Sequence, residues 1–210
     1  MILPPGFAGA AFGTASDGDL RRDPPARSLA AAELGIPDGW AYLNQIHGSN
    51  VLEADRPGLL GDGDAIVTCQ RGLPIMVATA DCVPVVLEAA DSVAVVHAGW
   101  RGARAGVLPA ALAVMTGAGN PPVRAAIGPA IGPCCYEVGL EVTAEFPGHV
   151  EETTWGTPSV DLPGFLAAQL DDIADVWQSG ECTYTSSRLN SWRRDGTEQR
   201  QVTVAWLPDS

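Results

Sequence analysis

The order of apolar segments along the chain predicts one domain that mixes strands with helices. Runs of small and β-branched apolar residues at 65–68, 75–78, 85–88, 93–98 and 201–207 read as buried strands. Segments with apolar residues at helical spacing, at 107–115 and 163–174, interrupt and follow them. At 210 residues, a single large domain over 1–210 accommodates all of these.

Residues 1–30 are rich in Gly, Pro, Ala and Asp and read as an irregular lead-in with one edge strand. A short helix over 27–35 stops at Gly35. Trp40, Tyr42 and Val51 mark two strand segments on either side of Gln45-Ile46-His47-Gly48. The stretch PGLLGDGD at 57–64 reads as turns before the strand AIVT. In residues 73–89, Pro84 is expected to interrupt a regular ladder, which places Cys82 at a break between two strands.

The helix after residue 106 presents Val107, Leu108, Ala111, Leu112 and Met115 on one face, with Pro109 in its first turn. Residues 123–139 read as a strand entering a Gly-Pro loop, where Cys134 and Cys135 are either ligands or, equally well explained, residues that only line the loop. His149 lies in a polar stretch and has no assigned role. Asp161 caps the helix over 163–174. Arg188, Arg193, Arg194 and Arg200 form the one basic cluster, readable as a solvated face or as an anion site.

An apolar fraction of 46% is ordinary for a protein with a substantial core. No run of eighteen apolar residues occurs, so no transmembrane helix is expected. The start MILPPGFAGAAFG lacks basic residues and carries early prolines, a poor signal peptide, so a cytoplasmic protein is expected. The formal net charge of −13 repels nucleic acid and anionic membranes, and neither is expected as a partner. There is no lysine, so an anion held by a charged side chain must be held by one of twelve arginines. Five cysteines without a CxxC pair suggest reduced thiols rather than a disulfide framework or a closed Cys-rich zinc site.

The stretch VAVVHAGWRG at 93–102 concentrates chemistry at the mouth of a buried strand. It offers His97, Trp100 and Arg101 among glycines that permit a tight turn and close approach. His47, Cys82 and His97 are each ligand-type side chains at a strand end beside a turn or break. Two imidazoles and a thiolate suit Zn²⁺, and three protein ligands leave one position open, the pattern of catalytic sites. The same trio also suits a Cys82 nucleophile with His47 or His97 as base. Spacing does not separate these readings from each other, or from a core histidine and a buried thiol that form no site.

QIHG, TADCVPVVL, VVHAGWRG, IGPAIGPCCYEVG and SWRRDG, in this order, resemble the signature blocks of the laccase-domain family. Its members were first called multicopper polyphenol oxidases and are now understood as purine nucleoside phosphorylases. The resemblance runs from about residue 40 to 205, with 1–39 matching loosely. It implies a compact α+β domain of mixed sheets flanked by helices, with Zn²⁺ held by His47, Cys82 and His97. It also implies phosphorolysis of adenosine, inosine, guanosine and methylthioadenosine, and deamination of adenosine. The partners implied are a purine nucleoside and inorganic phosphate, and a monomer is expected. Where the family shows Thr-Gly-Arg-Gln, this chain has Glu198-Gln199-Arg200-Gln201, which leaves a role for Arg200 open.

Candidate roles follow from this reading. Zinc lowers the pKa of a coordinated water towards roughly 7, suited to attack at C6 of adenine. Asp81 is the adjacent carboxylate, as proton shuttle or as support for a ligand. Arg101 is first choice for phosphate and Arg193 second, Gln45 is placed on ribose or base, and Trp100 is either a stacking surface or, as is commoner beside a strand end, a core indole. The alternatives are a copper-dependent polyphenol oxidase, a Cys-His hydrolase and a zinc-stabilised interaction domain. None of Met1, Met76 and Met115 sits in an axial copper motif, and multicopper sites need more than three histidines.

Overall fold

The central apolar runs are buried on both faces, and that dictates a layered architecture. The computed structural model describes residues 1–209. Strands β1 (Ala10–Phe12), β2 (Ala41–Asn44), β3 (Val51–Glu53), β4 (Gly58–Asp62), β5 (Ala65–Thr68) and β6 (Ile75–Thr79) occupy the first part of the chain. They are followed by β7 (Val83–Glu88), β8 (Val93–Ala98), β9 (Arg124–Ile127), β10 (Val150–Glu152), β11 (Pro158–Val160), β12 (Asp175–Gln178) and β13 (Gln201–Ala205). The helices are α1 (Pro24–Leu34), α2 (Trp100–Arg104), α3 (Val107–Gly117), α4 (Leu140–Thr143), α5 (Leu162–Ala167) and α6 (Trp192–Asp195).

One mixed sheet has the order β1-β13-β6-β2-β4 and a second the order β12-β9-β7-β8-β5-β3, with β10 and β11 as a separate hairpin. In the second sheet β7 pairs antiparallel with β8 and β9, whereas β12–β9 and β3–β5 are parallel. The domain is α+β with mixed sheets, as expected.

Pleating sends successive side chains to opposite faces. Val83, Val85 and Leu87 of β7, with Ala94, Val96 and Ala98 of β8, pack on Val107, Leu108, Ala111 and Met115 of α3 and on Leu162 and Leu166 of α5. Val86, Val93 and Val95 face the first sheet and meet Ala41, Leu43, Ile75 and Val77. The far face of that sheet covers Ala30 and Ala31 of α1 and Trp40. The layers are helix, sheet, sheet, helix. Each fully buried Val or Leu side chain contributes about 1.5–3 kcal/mol, so β7 and β8 form a rigid centre. His97 shares the parity of Val93 and Val95, which turns its ring towards the space between the sheets.

Several elements depart from expectation. Pro84 does not interrupt the ladder: it lies inside β7 opposite His97. The His97 N–H donates to the carbonyl of Asp64, away from β7, and the Pro84 carbonyl accepts from Gly128 just past the end of β9. No N–H is asked of that position. The stretch read as turns at 57–64 contains β4, an edge strand beside β2 whose glycines, Gly58 and Gly61, have φ of 108° and 142°. Those glycines bend the strand and mimic turn signals.

Helix α1 starts before residue 27, because Asp23 accepts the Ala26 N–H and two prolines fill the first turn; it ends on Gly35 at φ 68°. The helix expected over 163–174 is α5 plus a 3-10 turn over Ala168–Leu170. It stops early because the chain enters β12 at Asp175, parallel to β9. Strand β12 itself lies at a sheet edge with its residues part-exposed, so no apolar run announced it. No helix among the described residues is long and apolar enough to cross a membrane.

Candidate metal centre

His97 is the penultimate residue of β8, and its Nδ1 lies 2.8 Å from Asp64 Oδ1, with both side chains buried. An ionised carboxylate only accepts, so this contact puts the proton on Nδ1 and leaves Nε2 to face the site. Asp64 sits immediately before β5, and it also accepts the N–H groups of His47 at 3.0 Å and Gly48 at 2.6 Å. His47 has φ 59°, a left-handed conformation that costs a non-glycine residue about 1–3 kcal/mol. The two bonds to Asp64 hold that turn.

Cys82 lies where the chain passes from β6 in one sheet to β7 in the other. The crossing is made by Asp81 at φ 90°. Its carbonyl accepts the Ile131 N–H at 2.9 Å, and its carboxylate accepts the Thr183 hydroxyl at 2.6 Å and the Arg193 N–H at 2.7 Å. The crossing is therefore tied on both sides.

One ligand atom from each of His47, Cys82 and His97 lies within 4.8 Å of the others. Cys82 Sγ is 4.0 Å from His47 Nε2, and the two imidazoles meet edge to face with centroids 4.8 Å apart. Ligands at 2.0–2.3 Å from one tetrahedral ion stand on the order of 3.5 Å apart, so a small contraction closes this trio on a metal. Gly99 keeps the space open: a Cβ there would come within 2.8 Å of His47 Cδ2 and 3.1 Å of Cys82 Sγ.

Electrostatics match that donor set. Burial pushes the Cys82 thiol up, but the His97 imidazolium and the contact with His47 outweigh it and bring the thiol down to about 6. Burial lowers His97, and the Cys82 thiolate with Asp64 overrides this and raises it to about 9. Asp64 is pushed up by burial and pulled below its ordinary value by His97 and the two N–H donors. The centre thus stabilises a thiolate, and a bound cation would take the place of the His97 proton.

The centre opens onto a cleft of about 480 Å³. Asp81, Arg101, Arg193, Gln45 and Trp100 all line it; Gln45 departs from expectation, and the contacts of Asp81 and Trp100 separate their alternatives. Gln45 is not free for ribose or base: its amide donates to the Ala78 carbonyl and accepts the Ala78 N–H, both at 2.9 Å, stitching the end of β2 to β6. Each Asp81 oxygen already has a donor, so this carboxylate positions the wall rather than standing free as a proton shuttle. Trp100 packs on the core, and the Arg101 guanidinium lies 4.4 Å from its ring centroid, covering one face. Arg193 donates to the Glu137 carbonyl and sits 5.5 Å from the Tyr136 ring centroid.

The cleft also contains Tyr136, Trp192, Arg21, Arg22 and Arg200, of which the sequence marks only Arg200, and Asp64, which supports His97, carries no signal in the sequence either. Arg21 and Arg22 come from the lead-in, where weak periodicity hides them. Burial pushes the Tyr136 phenol up to about 12, so it remains a hydrogen-bond donor. Trp192 is 54% exposed at the rim. The basic cluster divides: Arg188 and Arg194 pair with Glu181 and Asp195, whereas Arg193 and Arg200 reach the cleft.

Among the described residues, four of the five arginines without a carboxylate partner line this cleft: Arg21, Arg101, Arg193 and Arg200. In so acidic a chain that is a selective placement of positive charge. Met76 and Met115 are buried in the core and Met1 packs on the outer cluster, so no methionine reaches the trio. His149 stacks edge-on against Phe165 at 5.4 Å and belongs to the helix packing.

Residues 6–208 match the family described as multi-copper polyphenol oxidoreductase laccase, a match that takes in most of the loosely resembling lead-in. A purine nucleoside phosphorylase of Streptomyces coelicolor is 43% identical over 199 residues, covering 86% of this chain and 81% of the relative. One from Streptomyces griseus is 40% identical over 222 residues, covering 96% and 90%. Among solved structures, YlmD from Geobacillus stearothermophilus superposes with a TM-score of 0.85 at 27% identity, over 98% of this chain and 94% of that one. Neisseria meningitidis protein NMB0706 gives 0.77 at 34% identity, over 88% and 80%. With nearly its whole length inside that match, the chain belongs to the multi-copper polyphenol oxidoreductase laccase family.

Proposed function

We propose that this protein is a zinc-dependent purine nucleoside phosphorylase. It cleaves adenosine, inosine, guanosine or methylthioadenosine with phosphate, and it deaminates adenosine. The observation that carries this reading is the convergence of His47, Cys82 and His97 beside a cleft whose unpaired cations are arginines. The names of the Streptomyces relatives point the same way.

Phosphorolysis needs an anion beside C1′ of the nucleoside. Arg101, with Arg193 second, binds the phosphate and orients one oxygen for attack. The new C1′–O bond forms as the C1′–N9 bond breaks, and its electron pair leaves with the purine. The Tyr136 hydroxyl, held protonated, donates a hydrogen bond to a nitrogen of the departing ring. Trp192 offers its exposed indole as the stacking surface, since Arg101 occupies a face of Trp100. Asp81 fixes Arg193 through the backbone N–H, and Gln45 fixes the His47 turn against β6. Zn²⁺ held by His47, Cys82 and His97 supplies Lewis acidity, the chemistry that adenine deamination calls for.

A second reading has one observation in its favour: Cys82, His97 and Asp64 also stand in the order thiol, imidazole, carboxylate of a nucleophilic triad. It leaves His47 without a task, although the chain holds that residue in a costly conformation 4.0 Å from the sulfur. The metal reading uses all three. Incubation with a nucleoside panel, with and without phosphate, tests the activity by chromatography of released bases. Free base and pentose phosphate are expected only with phosphate; equal base release without it overturns the reading.

A further inference from the structure

Three cysteines outside the metal centre converge where two distant segments cross. Cys134 and Cys135 lie in the loop after β9, and Cys182 lies in the segment after β12. The segments are joined as a short parallel bridge between Ala130 and Cys182. Ala130 donates to the Glu181 carbonyl at 3.2 Å and accepts from Thr183 at 3.0 Å. A turn in which the Cys135 and Tyr136 N–H groups both donate to Gly132 folds the loop back over Cys182.

The three sulfurs lie within 4.8 Å of one another, with Cys134 and Cys135 Sγ 3.4 Å apart. Sulfurs bound to one ion at about 2.3 Å stand on the order of 3.8 Å apart, a value inside that range. Cys182 Sγ also accepts the Gly132 N–H at 3.3 Å, the kind of support that orients a thiolate ligand. Cys135 is buried, while Cys134 and Cys182 are part-exposed and line a second cleft, which gives an ion a route in. Buried thiols often pack as small apolar groups. A lone thiol would be explained that way; three sulfurs from two segments, converging within bonding range of one point, are not.

We propose that Cys134, Cys135 and Cys182 form a second metal site, for a thiophilic d¹⁰ ion, Zn²⁺ or Cu⁺. No imidazole or carboxylate belongs to the group, and all-sulfur donors select such ions. Binding releases the three thiol protons to solvent. The site's ion clamps the loop that carries Ile131 and Tyr136 into the first cleft onto the segment whose Thr183 holds Asp81. It does not depend on the proposed activity.

The test uses the full chain, reduced and stripped of metal, then loaded with Zn²⁺ in one arm and buffered Cu⁺ in the other. Metal content is read for wild type, Cys134→Ser, Cys182→Ser and Cys82→Ala. Two ions per wild-type chain are expected in at least one arm. Each serine variant loses one ion and Cys82→Ala loses the other. Wild-type alkylation mapped by mass spectrometry provides a readout independent of variant folding. Loading is expected to abolish alkylation of Cys134 and Cys182 and to leave the exposed Cys69 reactive. The arm showing these changes identifies the ion. Unchanged metal content in Cys182→Ser, unprotected thiols in both arms, or a Cys134–Cys182 disulfide that persists under reduction overturns the proposal.

Discussion

Asp64 accepts from His97 Nδ1 at 2.8 Å and from the His47 backbone at 3.0 Å, so one buried carboxylate positions both imidazoles of the candidate metal centre. One is set through its ring and the other through its main chain. Asp64→Asn keeps the shape but offers a single acceptor oxygen where three donors converge. Metal affinity is expected to fall about 10–100-fold, the usual effect of losing a group that orients a ligand. Competition with a chromogenic chelator measures it, with circular dichroism to verify the fold.

Gly99→Ala tests the space between ligands. The added Cβ falls 2.8 Å from His47 Cδ2, closer than real contacts allow, and a tight 3.1 Å from Cys82 Sγ. Gly99 has ordinary extended φ, so backbone strain does not enter. The expected outcome is loss of bound metal with the melting temperature largely retained, read by elemental analysis and thermal denaturation.

The metal-free protein carries a pH signature. A thiol lowered to about 6 is a thiolate above that pH and is lost as pH falls through it. Thiolate absorbance near neutral pH is therefore expected in stripped wild type and is expected to fall in Cys82→Ala. His97→Ala removes the main favourable charge, so the midpoint moves up towards the ordinary thiol value of about 8.5. Ultraviolet titration of the three proteins checks the direction.

Much of this was legible in the sequence. His47, Cys82 and His97 were visible because each follows or ends an apolar run beside a turn, and strands β5 to β8 announce themselves by uninterrupted apolar composition. Asp64 was hidden in GDGD, where an aspartate is also an ordinary turn residue; its role depends on a contact spanning 33 residues. Arg21 and Tyr136 were hidden for a related reason, since only the folded chain brings the lead-in and the loop after β9 to one cleft. Pro84 misled because a proline is read as a break until the neighbouring strand is seen to end beside it.

Arg101 and Arg193 are assigned to phosphate because neither has a carboxylate partner among the described residues and both line the cleft. A hydrogen bond to a charged group contributes about 1.5–3 kcal/mol, so Arg101→Gln is expected to raise the KM for phosphate about 10–100-fold. Arg193→Gln is expected to raise it less, because its guanidinium is partly committed to the Glu137 carbonyl. Steady-state kinetics at saturating nucleoside separates the two effects.

The most direct measurement is phosphate-dependent release of purine base by protein from which metal has been removed and verified absent. Turnover is expected to vanish on stripping, to return when Zn²⁺ is restored to wild type, and not to return in Cys82→Ala or His97→Ala. Full turnover by verified metal-free wild-type protein would contradict the account.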